Sequence, residues 1–263
     1  MLDDDWLYPP TLVASLTNNL LKQERDLHEA RRVISPLVDM AHGYASAERH
    51  TKGLERTGRA RTVAVGGSGV RLPHNLSAFY VAKPGVACHE QLHAPDPRTA
   101  VFSSALPRGC SKQVDSLQGF AGIAFRRGAV DLHSLSALVE HAPPYLRYSA
   151  DDLMLSAHLE LRGIQRWLVD SPIPTLQRIE ADKMPLHGEL ECEAGRRMPR
   201  MLTHFRLSLR WLQHYLSVWK HLDLRALSHV GEGCFPPEIL AELNAPHNTT
   251  QASVLSARLE VPT

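Results

Sequence analysis

The chain has 263 residues, 43% apolar and 22% charged, enough for a sizeable core, and at roughly 150 residues per domain the length allows one large domain or two small ones. Its 29 basic residues stand against 28 acidic ones, a formal net charge of +1, which excludes a surface built around nucleic acid and the high-charge composition of a disordered chain. No apolar run approaches the ~18 residues of a membrane span, and the N-terminus opens on acids, without the basic and apolar stretches of a signal peptide.

In chain order, Leu12, Leu16 and Leu20 recur every four residues after Pro9 and Pro10, which predicts an amphipathic helix with proline at its first turn. A second helical stretch carries Leu27, Ala30, Ile34 and Leu37 and is disturbed by Pro36. Residues 45–61 hold five basic residues against two acids without apolar periodicity, the pattern of a solvated loop. Thr62–Val65 and Val70–Leu72 are expected as strands broken by the glycines of Gly66-Gly67-Ser68-Gly69, which lack the Lys and Ser/Thr of a phosphate loop and are expected to form a turn or bulge. Residues 82–112 are rich in proline and histidine and are expected to be irregular. Leu117–Phe125 is expected as one buried strand whose glycines admit a close neighbour. A helix is expected from Ser149 to Gly163 and a strand over Ile164–Val169, then irregular chain over 171–199 and one or two helices within Met201–Leu227.

Three constellations can carry chemistry. Asp3 and Asp5 alternate in Asp3-Asp4-Asp5-Trp6-Leu7-Tyr8-Pro9-Pro10, so at a strand end their carboxylates point the same way and offer hard oxygen ligands to Mg²⁺ or Mn²⁺. They equally suit an acidic terminus before a helix. Asp151 and Asp152 open a helix behind Ser149. The helix dipole favours them by ~0.3–1 kcal/mol, and a carboxylate fixed there is also aimed well for proton transfer. His89-Glu90-Gln91-Leu92-His93 fits the HExxH spacing of a zinc hydrolase, but Pro84, Gly85, Pro95 and Pro97 leave little room for the helix it needs, so zinc is not expected there. The cysteines Cys88, Cys110, Cys192 and Cys234 form no CxxC pair, which leaves their disulfide state and the compartment open.

The order of these pieces resembles the GT-A-fold glycosyltransferases, of a family-2-like kind. The line Asp3-Asp4-Asp5-Trp6-Leu7-Tyr8-Pro9-Pro10 is similar to their DxD region, Ala64-Val65-Gly66 to Leu72 to the strand that follows, and Val114 to Arg127, with Leu117-Gln118-Gly119-Phe120-Ala121-Gly122, to their glycine-containing acceptor strand. Asp151-Asp152-Leu153-Met154-Leu155-Ser156, with Gly163 at the helix end, is similar to their acidic pair.

The resemblance covers about residues 1–170. It implies an α/β fold, the DxD-and-acceptor half of a GT-A-like domain over 1–170 with an insertion at 24–61, followed by a mostly helical extension over 171–263. It implies transfer of a sugar from a nucleotide-sugar donor to a hydroxyl acceptor, with inversion. Asp3 and Asp5 would hold Mn²⁺ or Mg²⁺ at the donor diphosphate, Asp152 would be the base with Asp151 as runner-up, and Gly119, Phe120, Ala121 and Gly122 would lie along the acceptor. Family members are often Golgi or membrane-associated. The family's βαβ half, which holds the nucleotide, precedes the DxD line, whereas only Met1 and Leu2 precede Asp3. The 263 residues alone are therefore expected to bind nucleotide-sugars very weakly and to self-associate through an exposed sheet edge. The alternative is a non-catalytic interaction protein using the helical spacing of Leu212, Tyr215, Leu216 and Trp219 around Trp211; the same spacing suits a core-facing helix.

Overall fold

The computed structural model describes residues 6–41, 62–74, 78–81, 99–104, 106–142, 151–172, 175–176, 189–191 and 197–222. The chain is α/β: mixed sheets are flanked by helices. Strand β1 (Trp6–Leu7) leads into α1 (Leu12–Ala41); β2 (Val63–Gly66), β3 (Ser68–Arg71), β4 (Ala78–Val81), β5 (Thr99–Ser104), β6 (Ser111–Val114), β7 (Ser116–Leu117) and β8 (Ile123–Phe125) follow. Then come α2 (Leu132–His141), α3 (Asp151–Leu161), β9 (Gln165–Val169), β10 (Thr175–Leu176), β11 (Glu189–Glu191), β12 (Arg197–Pro199) and α4 (Arg200–Leu216).

One four-stranded sheet has the order β6-β9-β2-β8, with β2 parallel to β9 and antiparallel to β8. Side chains alternate across a strand, and both faces of β2 are covered. Val63 and Val65 join Val169 under Leu12, Leu16 and Leu20 of α1. Ala64 and Leu168 face the other way, onto Leu155 and Leu159 of α3. Coverage on both faces explains why β2 reads as a continuous apolar run rather than an alternating one. The second sheet has the order β4-β5-β3-β7, with β4 parallel to β5.

Two single residues carry the chain from one sheet into the other. Gly67 separates β2 from β3, and Asp115 separates β6 from β7. A Cβ at Gly67 would stand 2.9 Å from the Ala121 carbonyl oxygen, so the crossing needs glycine because backbone passes against it. The glycine run is thus a one-residue break between two strands, as its composition suggests.

Helix α3 is buried from Leu153 to Leu159. Leu153, Met154 and Ala157 join Leu207, Leu209, Trp211 and Leu212 of α4 in a further core. Gly163, at φ 67°, ends the helix region in a left-handed conformation that suits glycine. The Trp211–Trp219 stretch belongs to this core: both tryptophans are 2% exposed, and Trp211 meets Tyr215 at a ring-centroid distance of 5.2 Å. Of the two readings of this spacing, their burial is that of the core-facing helix. The helix also stops at Leu216, so Trp219 does not share its periodicity. It returns to the core through a turn with positive φ at Ser217 and Trp219, tied by Gln213 Nε2, which donates to the carbonyls of Trp219 (3.1 Å) and Leu222 (2.7 Å).

Four further expectations are corrected. Helix α1 runs unbroken through Pro36 as one element of 30 residues. Leu117–Phe125 is not one strand: β7 gives way to a 3-10 turn over Gly119–Ala121 before β8 begins, and Gly122 takes φ 77°, which a continuing strand does not allow. Residues 82–112 are not wholly irregular, since they contain β5 and the start of β6. Within 171–199 lie β10, β11 and β12, with β10 paired antiparallel to β1.

Candidate functional site

The acidic pair and the glycine-bearing segment meet. Asp152, in the first turn of α3, accepts the Gly119 N–H on Oδ1 at 2.7 Å. Thirty-three residues separate the two groups in sequence, so packing alone brings them together. Asp151 is exposed, and its Oδ1 accepts the Asp152 N–H at 3.0 Å, a local turn bond that fixes the start of the helix. One turn further along α3, Ser156 is fully buried; its Oγ accepts the Leu117 N–H at 3.1 Å and the Ser116 hydroxyl at 3.1 Å. In the same region Ser68 Oγ donates to Gln118 Oε1 at 2.6 Å. Gly119, Ala121 and Gly122 are buried, while Phe120 is half-buried at the turn.

The reason for this local arrangement lies in the strand edge. The Gln118 N–H turns inward to the Ser68 carbonyl at 3.0 Å, completing the β3–β7 pairing. The flanking N–H groups of Leu117 and Gly119 therefore face outward, off the edge of the sheet. A buried N–H needs a partner, and α3 supplies one to each.

Behind the segment, Asp115 Oδ2 accepts the Leu72 N–H at 2.6 Å, and its Oδ1 lies 3.9 Å from His221 Nε2. Burial pushes its carboxyl above the ordinary carboxylate value, against the lowering pull of the Leu72 bond, His221 and Arg166. Arg166, 5% exposed, pairs with Glu160 and donates to the Ile164 carbonyl at 3.0 Å. His158, 2% exposed on α3, accepts the Asp131 N–H on Nε2 at 3.2 Å; burial, then Arg162, holds it below the ordinary histidine value.

Asp3 and Asp5 lie outside the described residues, as do Ser149, His89, Glu90, Gln91, Leu92, His93, Cys88, Cys192 and Cys234. The first described strand, β1, begins at Trp6. Among the described residues no three His, Cys, Asp or Glu side chains gather as metal ligands, and no helix is long and apolar enough to cross a membrane. An open groove lies on the outer side of α1, lined by Asn18, Leu21, Glu24, Arg25, His28, Glu29 and Arg126. None of the residues expected at the site lines it. Two of its lining residues, Arg126 and Glu24, form an ion pair at 2.7 Å.

Sequence reasoning missed Ser156 and Ser116. The available signal was the four-residue step from Asp152 to Ser156, which puts two acceptors on one helix face. Compared with protein-family models, with curated proteins and with solved structures, the chain matches none.

Proposed function

We propose that this chain belongs to a GT-A-like glycosyltransferase that passes a sugar from a nucleotide-sugar to a hydroxyl acceptor with inversion. The reading is supported by one observation above all: the Asp152 carboxylate sits on the Gly119 N–H at 2.7 Å, joining the two segments that the sequence resemblance puts around an acceptor. A general base must be held within hydrogen-bond reach of the proton it takes. Asp152 is held from both sides, by its place in the first turn of a buried helix and by the Gly119 bond. In this reading Asp152 removes the acceptor hydroxyl proton, and Asp151 orders the start of the helix through the Asp152 N–H. In this reading the acceptor lies at the turn over Gly119, Phe120, Ala121 and Gly122, approached beside Phe120, the half-buried residue of the four.

Asp3 and Asp5 would hold Mn²⁺ or Mg²⁺. Paired carboxylates are the hard oxygen donors that these ions take, so the donor set fits. When bound, such an ion neutralises charge on a departing diphosphate.

The test is release of nucleoside diphosphate from a panel of UDP-, GDP- and TDP-sugars with Mn²⁺ and saccharide acceptors. It is run on the 263-residue chain and on the same chain fused to a βαβ nucleotide-binding half. Asp152→Asn is expected to lower acceptor-dependent release by about 10²–10⁴-fold, the range of a general base, without weakening Mn²⁺-dependent nucleotide binding. Release that Asp152→Asn leaves intact, or no release from either protein, would overturn the proposal.

A further inference from the structure

We infer that Ser156 is a positioning residue for Asp152, and that α3 works as a surrogate strand along the free edge of β7. The inference rests on the reading of Asp152 as the base. It starts from a match of two repeats. Residues four apart on a helix are displaced by about 6 Å along its axis, and residues two apart on a strand by about 6.6 Å. Asp152 and Ser156 are four apart; Gly119 and Leu117 are two apart. Each acceptor meets one backbone N–H of the segment, Asp152 Oδ1 that of Gly119 at 2.7 Å and Ser156 Oγ that of Leu117 at 3.1 Å. The pairing runs antiparallel, the later helix residue meeting the earlier strand residue.

Two points of attachment do what one does not. Core packing sets where α3 lies, but apolar contacts are not directional, and the bond from Asp152 to Gly119 pins the helix register against β7 at one point only. The Ser156 bond, buried and braced by the Ser116 hydroxyl at 3.1 Å, fixes the register of the helix against the segment. It thereby fixes the direction in which the Asp152 carboxylate is presented beside Gly119–Gly122. An alanine at 156 keeps the helix and removes the second point. The carboxylate then keeps its chemistry and loses its aim.

The test reads backbone amides by ¹H–¹⁵N NMR and needs no sugar or metal. The Gly119 amide reports the protonation of Asp152 through its hydrogen bond, so its shift titrates with pH in the unaltered chain and does not titrate in Asp152→Asn. In Ser156→Ala, hydrogen exchange at both Leu117 and Gly119 is expected to rise about tenfold, the loss of one hydrogen bond's worth of protection, and the Gly119 titration midpoint to move. Amides of β2 and β9 stay protected. The coupling is reciprocal, so Asp152→Ala, which removes the acceptor of the Gly119 N–H, should speed exchange at Leu117 as well, which keeps the test decisive if Ser156→Ala does not fold. Faster exchange at Leu117 alone in Ser156→Ala, with Gly119 exchange and titration unchanged, would overturn the inference, as would an unchanged Leu117 in Asp152→Ala. These readouts are independent of transfer, so a failure of the glycosyltransferase reading leaves them intact and is recognised separately.

Discussion

His158 shows how one side chain sets a pH limit on the fold. Its Nε2 accepts the Asp131 N–H, and a ring nitrogen accepts only while it carries no proton. Burial and the Arg162 charge disfavour the imidazolium, with only Asp131 pulling the other way, so the folded value lies below the ordinary 6.5. The unfolded chain then binds more protons than the folded one as pH falls, and stability declines with it. His158 contributes its full share above pH 6.5 and loses it as pH drops through the lower folded value. Urea unfolding between pH 7.5 and 5 should therefore show stability declining over the acid half of that range. His158→Gln, which keeps an acceptor near the Nε2 position and does not titrate, should flatten the decline. An equally steep fall in His158→Gln would show that other groups set the limit.

At the scale of elements, glycine marks where backbones meet. A Cβ on Gly69 of β3 would stand 2.7 Å from the Ser116 carbonyl oxygen and 3.1 Å from Val114 Cγ2, whereas one on Gly128 would meet nothing within 4 Å. Both atoms facing Gly69 belong to the β6–β7 crossing, held by the bond from the Asp115 N–H to the Val70 carbonyl at 2.9 Å. Gly69→Ala should cost about 1–3 kcal/mol, the range for overpacking a filled core, and Gly128→Ala should be near neutral in the same denaturation series. Equal effects would show that the crossing yields easily.

The same logic separates the elements legible in the sequence from those that were not. Helix α3 and strand β9 were readable because acids open the helix, Gly163 closes it and an apolar strand follows. The strands flanking Gly67 were readable from their valines. Helix α2 was not singled out: its start is an Asp131 cap, with Oδ1 accepting the His133 N–H at 3.1 Å and Oδ2 the Ser134 hydroxyl at 2.7 Å, in a stretch where Ser and His blur the apolar spacing. Strand β5 was hidden among prolines. The 3-10 turn at Gly119 was hidden because its apolar residues look the same in a strand. Of the site, the Asp152 helix end and the Gly119 segment were legible as separate pieces. Their meeting was not, because it is made by a long-range bond, and neither was Ser156, whose role depends on which strand N–H groups face off the edge.

At the scale of the molecule, the three cores among the described residues share walls. Strand β2 gives Ala64 to one core and Val63 and Val65 to another. Helix α3 divides its apolar side chains between the α4 core and the β2–β9 core, and Leu135 of α2 packs against both. Shared walls make separate loss of one core costly, since its neighbour would be left facing water. Trp211 is buried in the α4 core, which contains no residue of β2. Trp211→Ala should cost about 3–5 kcal/mol, as truncation of large buried aromatics does. If the cores form one cooperative unit, that loss reaches strands Trp211 does not touch. Native-state hydrogen exchange should then show Val63–Val65 of β2 losing protection in Trp211→Ala by the same free energy as the α4 amides. Protection lost in α4 with β2 unchanged would show that the α4 core unfolds by itself, leaving the β2–β9 sheet and the Asp152–Gly119 junction to stand on α1 and α3.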